Sequence, residues 1–163
     1  MKITIRKYEK SDLPSMIEIW NEVVEDGIAF PQEEKLTLKS GEEFFSLQSY
    51  VGVAENLHSN EIFGLYILHP NNVGRCSHIC NASYAVSKNA RNQHIGEKLV
   101  LDSLNQGKKY GFKIMQFNAV VSTNLQARHL YEKLGFENLG IIPKGFKLKC
   151  GEYEDICPYF KTL

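Results

Sequence analysis

The sequence predicts the α+β class: one mixed α/β sheet, mostly antiparallel, with helices on both faces. Three observations carry this expectation. Apolar residues alternate with period two in some segments and recur at helical spacing in others, in the order β, α, α, β, β, β, α, β, α, β, β. The strand-like segments between residues 50 and 87 have the lengths and turn-forming links of an antiparallel meander. A chain of 163 residues with 43% hydrophobic content can bury one core, so residues 1–163 are expected to form a single domain.

Ile3 and Ile5 alternate with polar neighbours, predicting an opening strand over 2–6. Ser11-Asp12 offers caps, and Pro14 suits the first turn, of a helix carrying Leu13, Met16, Ile17, Ile19, Trp20, Val23 and Val24. The stretch Gly27 to Pro31 breaks that helix. A second helix is expected over 33–49, then a strand at Tyr50-Val51-Gly52-Val53-Ala54, a turn at Ser59-Asn60 and a strand over 61–68. His69-Pro70-Asn71-Asn72-Val73-Gly74 reads as a loop and 77–87 as a longer strand. Ile95, Leu99, Val100 and Leu104 predict a helix over 94–110 that Gly111 stops. Residues 114–121 read as a buried strand, and Ser122-Thr123-Asn124 caps a helix running to Leu134 and Gly135. Phe136 opens a final strand pair punctuated by Pro143-Lys144-Gly145 and Cys150-Gly151.

Nineteen Lys+Arg balance nineteen Asp+Glu, so no overall positive field draws the chain to nucleic acid or to an anionic membrane. Neither partner is expected, and any anion must be caught locally. The first ten residues lack the apolar core of a signal peptide, and no run approaches the roughly 20 residues that span a bilayer. The expectation is a cytoplasmic protein. Cys76, Cys80, Cys150 and Cys157 have no zinc-site spacing and no paired histidines behind them, so reduced thiols and no metal are expected.

The polar loop Lys88-Asn89-Ala90-Arg91-Asn92-Gln93-His94 joins a strand to a helix N-terminus, an arrangement that offers backbone N–H groups to an anion. A diphosphate there would meet the positive end of the helix dipole, with Arg91, Lys88 and Lys98 as cations. Further on, Asn124, Ala127, Arg128 and Tyr131 fall on one helix face, so an amide, a small residue and a phenol can line one groove.

Residues 86–99 resemble the coenzyme A signature of the GCN5-related N-acetyltransferase (GNAT) family, Arg/Gln-x-x-Gly-x-Gly/Ala. Arg91 and Gly96 match it, and Val86 is the β-branched residue five positions earlier. His94 replaces the first glycine and Asn92 a frequent one; the His94 amide is expected to keep donating with a helical φ and its imidazole turned outward. Asn124-Leu125-Gln126-Ala127-Arg128-His129-Leu130-Tyr131-Glu132-Lys133-Leu134-Gly135-Phe136 resembles the family's second block, Asn-x-x-Ala-x-x-Leu-Tyr-x-x-x-Gly-Phe, at every specified position. The tail at 139–146 and 153–156 is similar to that of small bacterial-type members, which points to a small-molecule enzyme.

The resemblance implies the acyl-CoA N-acyltransferase fold, acetyl-CoA as cosubstrate and an amine of a small molecule or peptide as acceptor. It implies that Tyr84, Ala85 and Val86 meet the pantetheine arm through their backbone, and that Arg91, Asn92, Gln93, His94, Ile95, Gly96 and Glu97 hold the pyrophosphate. Asn124, Ala127 and Tyr131 complete the cosubstrate groove. Tyr131 is the implied general acid, because a phenol near 10 can protonate a thiolate whose acid ionises near about 8.5. A backbone N–H near Tyr84 to Val86, freed by a splay, would hold the oxyanion.

Direct attack needs a neutral amine, so a base must accept a proton. The strands at 77–87 and 114–121 contain no carboxylate. His78, Asn81, Glu22, Glu25, Asp26, Glu154, Asp155 or a water chain remain as base or substrate-binding candidates. A catalytically silent coenzyme A-binding module and an unrelated interaction domain are the alternatives, and a homodimer stays open. The complete second block speaks against the unrelated domain.

Overall fold

The computed structural model describes residues 2–163. Its strands are β1 (Ile3–Lys7), β2 (Tyr50–Asn56), β3 (Ile62–Pro70), β4 (Ile79–Val86), β5 (Ile114–Val121), β6 (Glu137–Asn138), β7 (Ile142–Lys147) and β8 (Tyr153–Thr162). They form one mixed sheet in the order β1-β2-β3-β4-β5-β8-β6, with β7 also paired to β8. Every pairing is antiparallel except β4 with β5. Helix α3 (Ile95–Lys109) makes the crossover that this parallel pair requires.

Helices α1 (Leu13–Asp26) and α2 (Leu38–Ser46) cover one face, where Leu13, Met16, Trp20 and Phe45 pack with Val51, Val53, Leu65 and Ile67. Apolar residues on one stripe of each helix bury against one side of the pleat. Leu99, Val100 and Leu104 of α3 cover the other face with Tyr66, Leu68, Met115 and Tyr159, and Leu130 and Tyr131 of α4 (Leu125–Lys133) pack against them. A third cluster of Val121, Phe146 and Ile156 lies under β7. The expected mixed sheet with helices on both faces is therefore present. Among the described residues, no helix is long and apolar enough to cross a membrane.

Several boundaries differ from expectation for local reasons. The helix expected over 33–49 spans only Leu38–Ser46, because the side chains of Thr37 and Ser40 cap it reciprocally at residue 37. Before the cap, Asn21 holds Leu36 by both backbone groups, donating to its carbonyl at 2.8 Å and accepting its N–H at 2.7 Å. Asp12 does not cap α1 with its carboxylate, which instead accepts from Arg6 and from the Glu9 amide. Strand β3 runs through His69 and Pro70, which are not loop, and β4 starts at Ile79, leaving His78 outside it.

The final strand pair is three strands. Pro143-Lys144-Gly145 does not divide them; it lies within β7 as a bulge against β8, with Lys144 at φ 55° and its N–H donating to Asp155. Gly145 belongs there because an added Cβ would overlap Ile156.

Candidate active site

Strands β4 and β5 pair at only two residue pairs, Ile79 with Ile114 and Cys80 with Met115. Beyond them the strands part, and β5 is irregular against β8 between Phe117 and Val120. The β5-facing edge of Asn81 to Val86 therefore carries backbone groups without a strand partner. A cleft of about 1180 Å³ occupies this splay and reaches both faces of the sheet, taking in Phe30 and Phe44 on one side and Ile95 and Tyr131 on the other. Its size is that of a site for a large ligand.

On the α3 face, Val86 and the following loop bring Arg91, Asn92, His94, Ile95, Gly96 and Glu97 to the cleft. Asn92 and His94 have left-handed φ of 62° and 56°. The helical φ expected for His94 is thus incorrect: the chain turns sharply there to enter α3, a conformation that costs a non-glycine residue about 1–2 kcal/mol. Its imidazole does point outward, with the side chain 83% exposed. No amide from Arg91 to Glu97 donates to another group among the described residues, and His94 supplies no side-chain cap. Such a turn aims consecutive donors at one point. A Cβ on Gly96 would touch only Leu130, at 3.8 Å, so packing within the chain does not require glycine and the space lies open to the cleft. Gln93 is exposed beside the cleft and Ala85 is buried in the α1 face; neither side chain lines it.

The loop cations are held by α1. Asp26 pairs with Lys88 at 2.8 Å and Arg91 at 3.2 Å, and Glu22 accepts the Lys88 amide at 3.0 Å. These hydrogen bonds, that of Lys88 first, hold the Asp26 carboxyl below the usual carboxylate range. Glu97 accepts from Lys133 at 2.8 and 2.9 Å, which ties α3 to α4 and lowers its carboxyl likewise.

Helix α4 starts where the Asn124 side chain accepts the Ala127 amide at 3.2 Å. Asn124, Ala127 and Tyr131 all line the cleft, as their shared face predicts. Tyr131 packs at 4.5 Å from Phe117 and 5.7 Å from Phe136, and its hydroxyl has no hydrogen-bond partner among the described residues. Burial pushes its phenol well above the ordinary range, so it stays protonated at neutral pH. The Tyr84 hydroxyl instead turns into the core, 2.8 Å from Ser103, leaving its backbone toward the splay.

The opposite mouth has a different chemistry. His69 and Asn81 are register partners, as are Ile67 and Ser83, and Ile67 packs on the α1 face. Alternation places all four on that face, and all line the cleft. The Asn81 amide donates to the Gln116 carbonyl at 2.8 Å, bridging the start of the splay. Gln116 donates to Asn118, and Asn118 to Asn71 at 2.6 Å. Of the expected base candidates, Asn81 and Asp26 line the cleft. His78 is exposed before β4, Glu25 pairs with Lys35, Glu22 holds Lys88, and Glu154 and Asp155 lie on β8, so none of these reaches it. His69 was hidden by its neighbours Pro70 and Asn71, which read as a turn; the polar alternation of Gln116 and Asn118 was the available signal for this side. Among the described residues no group of three His, Cys, Asp or Glu is placed to hold a metal ion.

The pattern described as Acetyltransferase (GNAT) family matches residues 13–136. The N-acetyltransferase aca1 of Schizosaccharomyces pombe is 32% identical, an alignment covering 91% of this chain and 78% of that protein. A GCN5-related N-acetyltransferase from Kribbella flavida superposes with a TM-score of 0.90 at 27% identity, over 99% of this chain and 98% of that one. A phosphinothricin acetyltransferase from Sinorhizobium meliloti, solved in complex with AcCoA, has a TM-score of 0.92 at 23% identity, over 100% of this chain and 89% of that one, and at that identity attests the fold.

Proposed function

Because this chain belongs to the GNAT acetyltransferase family, we propose that it transfers an acetyl group from acetyl-CoA to an amine of a small molecule or peptide by direct attack. The reading takes residues 1–163 as one catalytic domain. The observation that carries it is the splay of β4 from β5, with an uncapped helix N-terminus and an unpartnered tyrosine hydroxyl at one opening.

The donor set fits the cosubstrate: free amides, Arg91 and Lys88 for a diphosphate, and an unpaired strand edge for an amide-bearing arm. Bound there, acetyl-CoA supplies the activated acetyl group. The residues around it bind and orient. Amides from Arg91 to Gly96 hold phosphate oxygens, with Arg91 exchanging Asp26 for the ligand. A backbone N–H of Tyr84 to Val86 donates to the carbonyl oxygen as charge develops there. Tyr131 delivers its proton to the departing sulfur, and Ala127 leaves room for the arm against α4.

The alternative is a silent coenzyme A-binding module, favoured by one observation: β4 and β5 carry no carboxylate to serve as base. An amine panel assayed by thiol release separates the two, and thermal shifts with coenzyme A, acetyl-CoA and ATP test the site itself. Ligand at 100 times its dissociation constant should add about 2.7 kcal/mol. Stabilisation by coenzyme A without turnover of any amine would select the silent module; no stabilisation would dismiss both.

A further inference from the structure

We infer that His69 is the base that takes the proton from the acceptor amine, an assignment that rests on the acetyl-transfer reading above. It faces the cleft from β3, on the side opposite Tyr131. Its Nδ1 lies 2.9 Å from the Pro70 carbonyl oxygen, which can only accept, so Nδ1 carries the hydrogen. In the neutral ring Nε2 then holds the lone pair, and no group among the described residues occupies it. That is the form a base must have.

The surroundings leave this role to His69 alone on its face. Its register partner Asn81 and the amide of Asn118, both of which line the cleft, can orient an amine by hydrogen bonds but cannot accept its proton at neutral pH. Asp26, the carboxylate of α1 that lines the cleft, is engaged by Lys88 and Arg91. Ile67, Phe30 and Phe44 give this mouth apolar walls, where a neutral amine is easier to hold than an ammonium.

The protons balance as follows. One ammonium proton passes to His69 Nε2 and from there to solvent. The nitrogen lone pair forms the C–N bond while the C–S bond breaks. Sulfur takes the phenol proton of Tyr131, and the second proton leaving nitrogen returns through solvent to Tyr131. The products are an amide, a thiol and one released proton. With the acid and base on opposite faces, the nitrogen approaches from one side as sulfur departs toward the other.

His69→Asn and His69→Ala test this. An Asn side-chain amide can keep the donor to the Pro70 carbonyl while lacking the second ring nitrogen, so folding and acetyl-CoA affinity should hold while kcat falls about 100-fold. His69→Ala should lose as much, and added imidazole should restore it at least about tenfold, in proportion to the free imidazole base. A His69→Asn kcat within about threefold of wild type overturns the assignment. So does a folded, acetyl-CoA-binding His69→Ala variant that imidazole does not rescue. If the wild type itself turns over no amine, the acetyl-transfer reading fails and takes this one with it; wild-type turnover with an active Asn variant removes only His69.

Discussion

Helices α3 and α4 each follow a strand bordering the splay, α3 after the loop at 87–94 and α4 after the turn at 122–124, yet their N-termini are finished differently. The α4 end is closed: Asn124 accepts the Ala127 amide with its side chain and the Arg128 amide with its carbonyl. The α3 end is open, with seven consecutive amides unpartnered and two residues in left-handed conformation. A helix end sealed by its own side chain contributes to a cleft through side chains further along, here Tyr131. One left unsealed contributes its backbone, and keeping it that way costs stability in the ligand-free chain.

The largest expected effect breaks the side-chain half of this contrast. Tyr131→Phe keeps the ring and its packing on Phe117, so melting temperature and acetyl-CoA affinity should stay near wild type. Single-turnover acetyl transfer should slow on the order of 100-fold, or about tenfold if water replaces the hydroxyl. Wild-type speed would reduce Tyr131 to a packing residue.

Next comes the backbone half. Arg91→Ala removes the one signature side chain of the open end, and with its guanidinium half-exposed it should raise the Michaelis constant for acetyl-CoA about tenfold with little change in melting temperature. An unchanged constant would show that the loop does not meet phosphate.

Two smaller effects should have opposite signs. Asn124→Ala unseals α4 and should cost about 1 kcal/mol, lowering the melting temperature by about 2–4 °C. His94→Gly relieves the left-handed strain at the open end and should raise stability by up to about 1 kcal/mol with acetyl-CoA affinity equal or better. A large loss of affinity in the glycine variant would mean that the imidazole itself contacts the ligand.

What could be read from sequence follows the same division. Strand β5 and the helices α3 and α4 announce themselves because residues 114–121 form a short apolar-rich run, Ile95, Leu99, Val100 and Leu104 recur at helical spacing, and the second block fixes the face carrying Asn124, Ala127 and Tyr131. The replacement of glycine at 92 and 94 was visible; that both positions have positive φ was not, since composition favours glycine there without forbidding Asn or His. The mouth on the α1 face was the least legible. It is assembled across three strands by register, pairing residues 69 with 81 and bonding 81 to 116, and no local pattern encodes such pairings. His78 is legible as a candidate because it precedes an evident strand, whereas His69 is masked by Pro70 and Asn71, which signal a turn.

The short parallel pairing of β4 with β5 has one more consequence. An opening that passes through the sheet has two mouths, so a molecule entering from the α1 face and one entering from the α3 face need not pass each other. Each can arrive and depart while the other stays in place. Traffic of that kind allows a complex of three bodies, whose double-reciprocal rate plots intersect, to form with either occupant first.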